Sequence, residues 1–398
     1  MHINPTNIVR IKGTIRSNTS LLVVVLGALS SFLLVLFLKK FLPDFFNTYS
    51  LYLTYIGIIV SFGFAGLDQV FLRLSVVKDK MITIGRDVFI YMLLCLLVIP
   101  LVVSYYFHVN FHDLHFIFLF VSGVSLNAVL LAYNILRLKQ KFVLSQLFNS
   151  GYKILFLLGI FLIYFFFPKT ITGILLLSSM ILCFVGILAV RFIIKNLILT
   201  NDKTDSLKNY FFSFSLNLAL LTLLTYGERI VIANELGEDV FGMYFYYSTI
   251  FLFPLTLIQY YVEFKELVYF KEGIAKKIVH QKVKKVFLAG LCLIAFIFFI
   301  VILDQGLFLE IEIKENSVFI FLLSVLGIVK LNYGLFSALL GAKGEFEDIY
   351  KVNFLTAILI GGSIFLLFTY KMSIELIIVS LIVIFLSRIV FIYRKYVY

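Results

Sequence analysis

The stretch LTYGERIVIANELGEDVFGMYFYY, residues 224–247, places an acid–base pair inside a long apolar run. Glu228 and Arg229 stand side by side, with mostly apolar or small residues back to Phe211 and the apolar IVIA after them. An ionisable group at the centre of a membrane helix costs roughly 2.5–3.5 kcal/mol, and such groups usually face a protein interior or a water-filled cavity. The pair therefore predicts a functional site, unless the helix ends at Gly227 and leaves both residues in the interface.

The composition of the whole chain is that of a membrane protein. Of 398 residues, 62% are hydrophobic and 14% are charged, and the mean hydropathy is +1.06. A soluble domain carries about 25% charged residues, so the composition excludes a water-soluble protein. Twelve apolar runs are long enough to cross a bilayer as helices. They cover residues 20–38, 45–66, 88–107, 114–136, 152–167, 171–193, 210–232, 240–262, 286–303, 317–340, 352–369 and 373–392.

The formal net charge of +12 would suggest a nucleic-acid partner in a soluble protein. Here most of the 34 Lys and Arg fall in alternate loops, as the positive-inside rule requires. We therefore predict no nucleic-acid partner, membrane lipids as the surroundings, and both termini in the cytoplasm.

The two halves of the chain show an internal sequence similarity. Laying the second half on the first aligns Phe46, Tyr49 and Tyr52 with three aromatic residues of the eighth span: Phe241, Tyr244 and Tyr247. The fold predicted is therefore all-α, with two six-helix bundles, residues 1–200 and 201–398, related by a pseudo-twofold axis. This is the parallel-repeat arrangement of many transporters.

A second candidate charge, Lys330, lies in the tenth span, SVFIFLLSVLGIVKLNYGLFSALLG (residues 317–341). Helical spacing groups it with four small or polar residues: Gly327, Tyr333, Gly334 and Ser337. Either this face lines a polar passage, or Lys330 snorkels to the interface.

The stretch FGFAGLDQVFLRLS, residues 62–75, closes the second span. Gln69 and Arg73 lie one turn apart on a shared face, and Asp68 lies about 100° away around the helix. These three are candidate binding residues, and the alternative is an ordinary cytoplasmic helix end. Tyr244 and Tyr247 are candidates because their rings can pack on sugars and their hydroxyls can form hydrogen bonds; the alternative is simple packing.

Motifs for catalysis and cofactors are absent from the sequence. It contains no Walker A motif, nucleophile elbow or HExxH, so ATP-driven transport and hydrolysis within this chain are not expected. His108, His112 and His115 could supply metal ligands by spacing, but interfacial histidines are commoner, and we predict no metal site and no cofactor.

Residues 226–251 resemble the start of the second half in polysaccharide flippases of the multidrug/oligosaccharidyl-lipid/polysaccharide (MOP) superfamily. The pattern there is an acid, then Arg, apolar residues, LG, and G-x-Y opening the next helix. Six residues match it: Glu228, Arg229, Leu236, Gly237, Gly242 and Tyr244. Residues 62–74 are similar to the same family's end of the second span. The likeness is closest to the O-antigen type, Wzx.

This resemblance implies a non-enzymatic flippase with a MATE-like fold in the bacterial cytoplasmic (inner) membrane. Its expected cargo is an undecaprenyl-pyrophosphate-linked oligosaccharide, an O-antigen or capsule repeat unit, moved by alternating access. The polysaccharide polymerase machinery is an expected partner. Arg229, Arg73 and Lys330 would meet the pyrophosphate or acidic sugars, while Glu228 and Asp68 would balance the empty path or couple it to H⁺ or Na⁺.

Two rival functions remain. A MATE-like cation-coupled antiporter for drugs or metabolites would carry an acid deep in the first six spans, and no acid lies at mid-depth there. A membrane O-antigen polymerase or glycosyltransferase would need carboxylates or Arg on a sizeable outer loop. The longest predicted outer loop, residues 304–316, leaves little room for such a site.

Overall fold

The computed structural model describes residues 5–78, 81–201, 207–271, 276–304, 306, 309, 311–370 and 372–397. It forms two compact units, residues 1–222 and 223–398. Unit 1 contains eight helices and three strands in its described part: α1 (Pro5–Phe41), α2 (Pro43–Phe62), α3 (Leu67–Leu74), β1 (Val76–Lys78), β2 (Met81–Gly85), α4 (Arg86–Asn110), α5 (Phe116–Leu138), α6 (Phe142–Phe166), α7 (Ile171–Asn196), β3 (Leu197–Thr200) and α8 (Leu207–Thr222).

Unit 2 begins with a π-helical turn, Leu223–Gly227, that continues the chain from α8. Its described helices are α9 (Glu228–Glu235), α10 (Glu238–Phe251), α11 (Phe253–Lys271), α12 (Lys276–Asp304), α13 (Ser317–Lys343), α14 (Phe346–Thr369) and α15 (Ile374–Tyr396).

The predicted membrane spans are confirmed as helices. Within the described residues, eleven helices are long and apolar enough to cross a membrane, or twelve if α10 and α11 form one span. That eighth span is bent by 53° at Leu252. Pro254 follows the break and has no N–H to donate back, which accounts for a kink that the hydropathy pattern did not predict.

The boundary between the units falls later than the split predicted at residues 200/201. The first part of the seventh span, α8, packs on α2 and α3 of unit 1. Ser215 donates a hydrogen bond to the carbonyl oxygen of Ala65, and Thr222 Oγ1 lies 3.1 Å from Ser61 Oγ. These contacts place the span as far as Thr222 with the first six.

Tyrosine hydroxyls tie α2 to its neighbours inside unit 1. Tyr49, Tyr52 and Tyr55 follow one another by a helical turn and are fully buried. Their hydroxyls lie 2.9–3.1 Å from three serine hydroxyls, those of Ser178, Ser122 and Ser104 respectively. A buried hydroxyl without a partner is costly, so these pairs fix how α2 packs on α4, α5 and α7.

A small sheet outside the spans was not predicted. β1 and β2 form an antiparallel hairpin, and β2 pairs in parallel with β3. Ile82 and Ile84 point from β2 into the hydrophobic core formed with α3, α4 and α5. The segment MITIG alternates in the manner of a strand, but its partner β3 is more than 100 residues away in sequence, which hydropathy does not reveal.

Helix α13 lies at the centre of unit 2 and packs on α10, α11, α12 and α15. Gly327 and Gly334 face α11, where an added Cβ would collide with Leu255 or with Gln259. Small residues of this kind allow two membrane helices to approach closely. The predicted single polar face of α13 is instead divided, because Ser337 donates to Glu263 of α11 while Tyr333 contacts α15.

Two glycine-to-alanine substitutions test how closely α8 packs against the rest of unit 1. Gly66 has φ +81°, and a Cβ there would lie 2.8 Å from the backbone carbonyl carbon of Phe214. Gly66→Ala should lower the free energy of unfolding by about 2–4 kcal/mol, through both the strained backbone and the clash. Gly151→Ala in α6 meets nothing within 4 Å and should stabilise by up to about 1 kcal/mol.

Thermal denaturation of the purified protein in detergent measures both effects. Equal stability changes for the two alanine variants would contradict the close approach of α8 to Gly66.

Candidate functional site

The acid–base pair lies at the start of α9, directly after the π turn Leu223–Gly227. The helix therefore continues beyond Gly227, and residues 214–235 together count as one candidate span. π turns inside α-helices are rare and are frequent at functional sites. Glu228 is 5% exposed, and Arg229 is partly buried.

The Glu228 carboxylate lies among one hydroxyl and two cations. Tyr244 of α10, itself fully buried, donates to Oε1 over 3.4 Å. The Nε of Arg229 lies 4.0 Å from the same oxygen, beyond hydrogen-bond distance. Lys330 acts on the carboxylate electrostatically from α13. The second oxygen, Oε2, is buried and has no hydrogen-bond partner.

Arg229 is held by aromatic faces rather than by carboxylates. Its guanidinium carbon lies 5.0 Å from the ring centroid of Phe245 and 5.4 Å from that of Tyr226. Its Nε is buried without a hydrogen-bond partner, while the side chain as a whole remains 21% exposed. A guanidinium positioned in this way keeps donors for an incoming anion.

Lys330 lies at the midpoint of α13 and is 6% exposed. Its Nζ lies 5.3 Å from the ring centroid of Phe385 in α15. It therefore does not extend to the interface by snorkelling. The Phe385 and Tyr333 rings pack edge to face, with their centroids 5.1 Å apart.

Arg388 of α15 is a further buried charge that the sequence reading missed. It is 1% exposed; its Nε donates to the Tyr333 hydroxyl over 3.0 Å and one terminal nitrogen donates to Thr356 Oγ1 over 2.6 Å. Its guanidinium carbon also lies 5.1 Å from the Tyr333 ring centroid. Arg394 and Lys395 follow in sequence, so Arg388 resembles part of a basic helix end. The apolar residues on both sides of Ser387–Arg388 were the available signal.

Three cationic side chains and one carboxylate, those of Arg229, Lys330, Arg388 and Glu228, thus interact in unit 2. The rings of Phe385 and Tyr333 lie between Lys330 and Arg388. Arg229 lies 4.0 Å from the Glu228 carboxylate, and Lys330 acts on that carboxylate through its charge alone. We call these four residues the cationic cluster. It carries a formal surplus of two positive charges within helices that can span the membrane. Such a surplus suits an anionic ligand.

Tyr247, the other predicted aromatic site residue, lies one turn further along α10. Its hydroxyl accepts hydrogen bonds from Asn316 Nδ2 over 3.1 Å and from the backbone N–H of Glu312 over 3.4 Å. The structure therefore places Tyr247 against the segment before α13, and not in the cationic cluster.

Asp68 and Gln69 lie together in unit 1 on the short helix α3. Gln69 Nε2 donates to Asp68 Oδ2 over 3.3 Å, and Oδ1 is buried without a hydrogen-bond partner. Asp68 lines a cavity of about 200 Å³ with polar residues that include Arg137, Asn134 and Asn149. Burial raises the pKa of the Asp68 carboxyl above its ordinary value, and Gln69 and Arg137 offset part of this. The Arg73 side chain lies outside the described residues.

The histidines of the predicted outer loop do not form a metal site in the described structure. His108 Nδ1 lies 2.9 Å from the carbonyl oxygen of Leu114. Among the described residues, no group of three or more His, Cys, Asp or Glu side chains could hold a metal ion.

Solved structures with the same architecture are transporters of the MOP superfamily. One, from Pyrococcus furiosus, is described by the words "reverse polarity of binding pocket suggests different function of a MOP superfamily transporter". It has 14% identity and a TM-score of 0.55 over 96% of this chain and 93% of its own.

The chain is also similar to two multidrug resistance MATE family transporters of the MOP superfamily. One is outward-facing, with 14% identity and a TM-score of 0.57 over 94% of this chain and 92% of its own. The other is inward-facing, with 12% identity and a TM-score of 0.51 over 93% and 94%. No protein-family model and no curated protein matches the sequence. The chain thus has a MATE-like fold of the MOP superfamily, as predicted, and is a multi-pass membrane protein.

Substitutions at Arg388 separate charge from packing. Arg388→Met should change the free energy of unfolding little, because the removal of a buried charge, whose desolvation costs several kcal/mol, offsets the loss of about 1–3 kcal/mol when the Tyr333 hydroxyl loses this donor. Thr356 also keeps its 2.6 Å bond to the Val352 carbonyl. Arg388→Ala should lower stability by about 2–5 kcal/mol, because it leaves a cavity. Thermal denaturation in detergent compares the two, and equal destabilisation would show that the guanidinium hydrogen bonds stabilise the fold.

The raised pKa of Asp68 predicts a pH-dependent stability. In the folded protein the carboxyl holds its proton up to a higher pH than in the unfolded chain, so its ionisation destabilises the fold near neutral pH. Asp68→Asn should therefore melt at a higher temperature than the parent at pH 7. The difference should vanish as the pH falls through the raised pKa towards the ordinary value of about 3.9. Parallel melting curves at every pH would contradict this.

Proposed function

We propose that this chain is a flippase that carries an undecaprenyl-pyrophosphate-linked oligosaccharide across the bacterial cytoplasmic membrane. The observation that carries the proposal is the cationic cluster, with its formal surplus of two positive charges inside unit 2. The resemblance to Wzx-type flippases at residues 226–251 supports the same cargo, an O-antigen or capsule repeat unit.

The chemistry of such a cargo matches the cluster. A pyrophosphate and a hydrated glycan cannot cross hydrocarbon unaided, because each desolvated polar group costs several kcal/mol. Arg229 offers a planar set of donors suited to phosphate oxygens, and its partial exposure makes it the accessible member of the cluster. Lys330 and Arg388 are buried behind aromatic rings, where they add positive potential.

Glu228 has a distinct role in this proposal. In the empty protein it compensates part of the positive charge of Arg229 and Lys330. An entering phosphate competes for the same cations, and the displaced carboxylate then takes up a proton or Na⁺ through Oε2, the oxygen without a hydrogen-bond partner. Cargo binding would thereby be coupled to an ion.

Alternating access is the transport cycle we propose. Two MATE family transporters of the same fold have been solved in outward-facing and inward-facing conformations. The polysaccharide polymerase machinery remains the predicted partner for the exported unit.

The sign of the charge distinguishes this proposal from a cation antiporter. A site for cationic drugs needs a surplus of negative charge, whereas Glu228 is outnumbered in the cationic cluster. The transporter from Pyrococcus furiosus, whose binding pocket is described as having reverse polarity, shows that one fold accommodates pockets of different charge.

Binding to a polyprenyl pyrophosphate tests the proposal directly. Arg229→Ala should weaken binding about 10- to 100-fold, because hydrogen bonds to charged groups contribute about 1.5–3 kcal/mol and 1.4 kcal/mol is tenfold. Arg229→Lys should recover part of the loss, since an ammonium keeps the charge but not the planar set of donors. Arg191→Ala, at an exposed position of α7, is the matched control.

The measurement is the dissociation constant in detergent, with the uncharged polyprenol as the second ligand. Glycan export in a complementation assay supplies the functional readout. Unchanged binding and export in both Arg229→Ala and Glu228→Gln would remove the cluster from the mechanism. Tighter binding of tetraphenylphosphonium than of the pyrophosphate would favour the antiporter.

A further inference from the structure

A groove of about 800 Å³ runs between α14 and α15 on unit 2. One wall is formed by Leu355 of α14, and the other by Val383, Leu386 and Val390 of α15. These three residues of α15 are 44–49% exposed, so the groove is open to the surroundings of the helices. In a membrane those surroundings are lipid, and the walls suit an acyl chain.

Cations line one end of the groove. Lys351 lies near the beginning of α14, while Arg394 and Lys395 lie in the last turn of α15. The two helices pack on one another, which brings these residues to the same end. No acid is among the described residues that line the groove. The positive-inside rule assigns this end to the cytoplasmic leaflet.

The three cations differ in how far they are already neutralised. Lys395 forms an ion pair with the buried Asp348, which also accepts a hydrogen bond from the Tyr396 hydroxyl. The Nζ of Lys351 lies 3.6 Å from Glu347, but both side chains are more than half exposed, and such pairs are weak. Arg394 is exposed and forms no ion pair within the described residues. Arg394 and Lys351 are thus the groups available to an outside anion.

The length of the groove matches one leaflet. From Val383 to Lys395 the helix rises by about 18 Å at 1.5 Å per residue. Half of a hydrocarbon core of about 30 Å is about 15 Å. A ligand with a phosphate at the cationic end and an apolar chain along the walls would therefore occupy a single leaflet.

We propose that the groove binds an anionic phospholipid of the cytoplasmic leaflet, with its phosphate at Arg394 and Lys351. Charge complementarity at one end and openness to bulk lipid along the walls carry this assignment. It does not depend on the cargo proposed above. The bound lipid would hold together the inner ends of α14 and α15, the helices that supply Thr356 and Arg388. Membrane composition would thereby influence the helix that carries part of the cationic cluster.

The absence of tryptophan makes the groove easy to probe. Phe391→Trp places a single tryptophan, which can be excited apart from the 23 tyrosines, in the groove lining. Leu386→Trp is a second reporter at an exposed position. The full chain is reconstituted in vesicles of phosphatidylcholine and phosphatidylglycerol, with either lipid brominated on its acyl chains. Phe184→Trp, an exposed position on α7, is the matched control.

At equal mole fraction, brominated phosphatidylglycerol should quench the groove reporters about fivefold more effectively than brominated phosphatidylcholine. The preference should disappear at high salt and in the double variant Lys351→Gln/Arg394→Gln, and Phe184→Trp should show none. Equal quenching by the two lipids at both groove reporters would overturn the proposal. So would relief of the quenching by trace polyprenyl phosphate but not by added phosphatidylglycerol, which would assign the groove to the tail of a lipid-linked substrate.

Discussion

The free-energy cost of placing a charged side chain in hydrocarbon constrains how the helices of unit 2 pack. Lys330 sits at the midpoint of a spanning helix and can be accommodated only if protein encloses it. Helix α13 is accordingly the central helix of the unit, and Gly327 and Gly334 let α11 come close. Aromatic faces, rather than carboxylates, cover the buried cations Lys330 and Arg388. Neither cation forms an ion pair with a carboxylate within the described residues.

At the corresponding position of its second span, unit 1 uses neutral groups. Aligned positions of the two halves make the contrast direct: Tyr49 and Tyr244 are both fully buried. The Tyr49 hydroxyl meets a serine hydroxyl, whereas the Tyr244 hydroxyl donates to the Glu228 carboxylate. Both aligned positions thus carry a buried tyrosine, and only Tyr244 donates to a charged side chain. In unit 1 the candidate acid, Asp68, lies outside the spans on α3.

The sequence predicts the membrane helices well, because a run of apolar residues is a local property that the bilayer thickness converts into a helix. It predicts less of the site, because a site depends on which helices meet. Arg388 escaped notice since its basic neighbours in sequence resemble a helix end, while its partners Tyr333 and Thr356 come from two other helices. The sheet was not predicted for the same reason, because β2 and β3 are distant in sequence and become neighbours only when the chain folds.

The persistence of two adjacent charges in an apolar helix has a geometric explanation. Neighbouring residues of a helix point about 100° apart, so they cannot form a close pair with one another. Arg229 and Glu228 are accordingly 4.0 Å apart at best, and the π turn before them directs each to different partners. Arg229 lies against two rings, and Glu228 accepts a hydrogen bond from Tyr244. Each therefore keeps an atom without a hydrogen-bond partner.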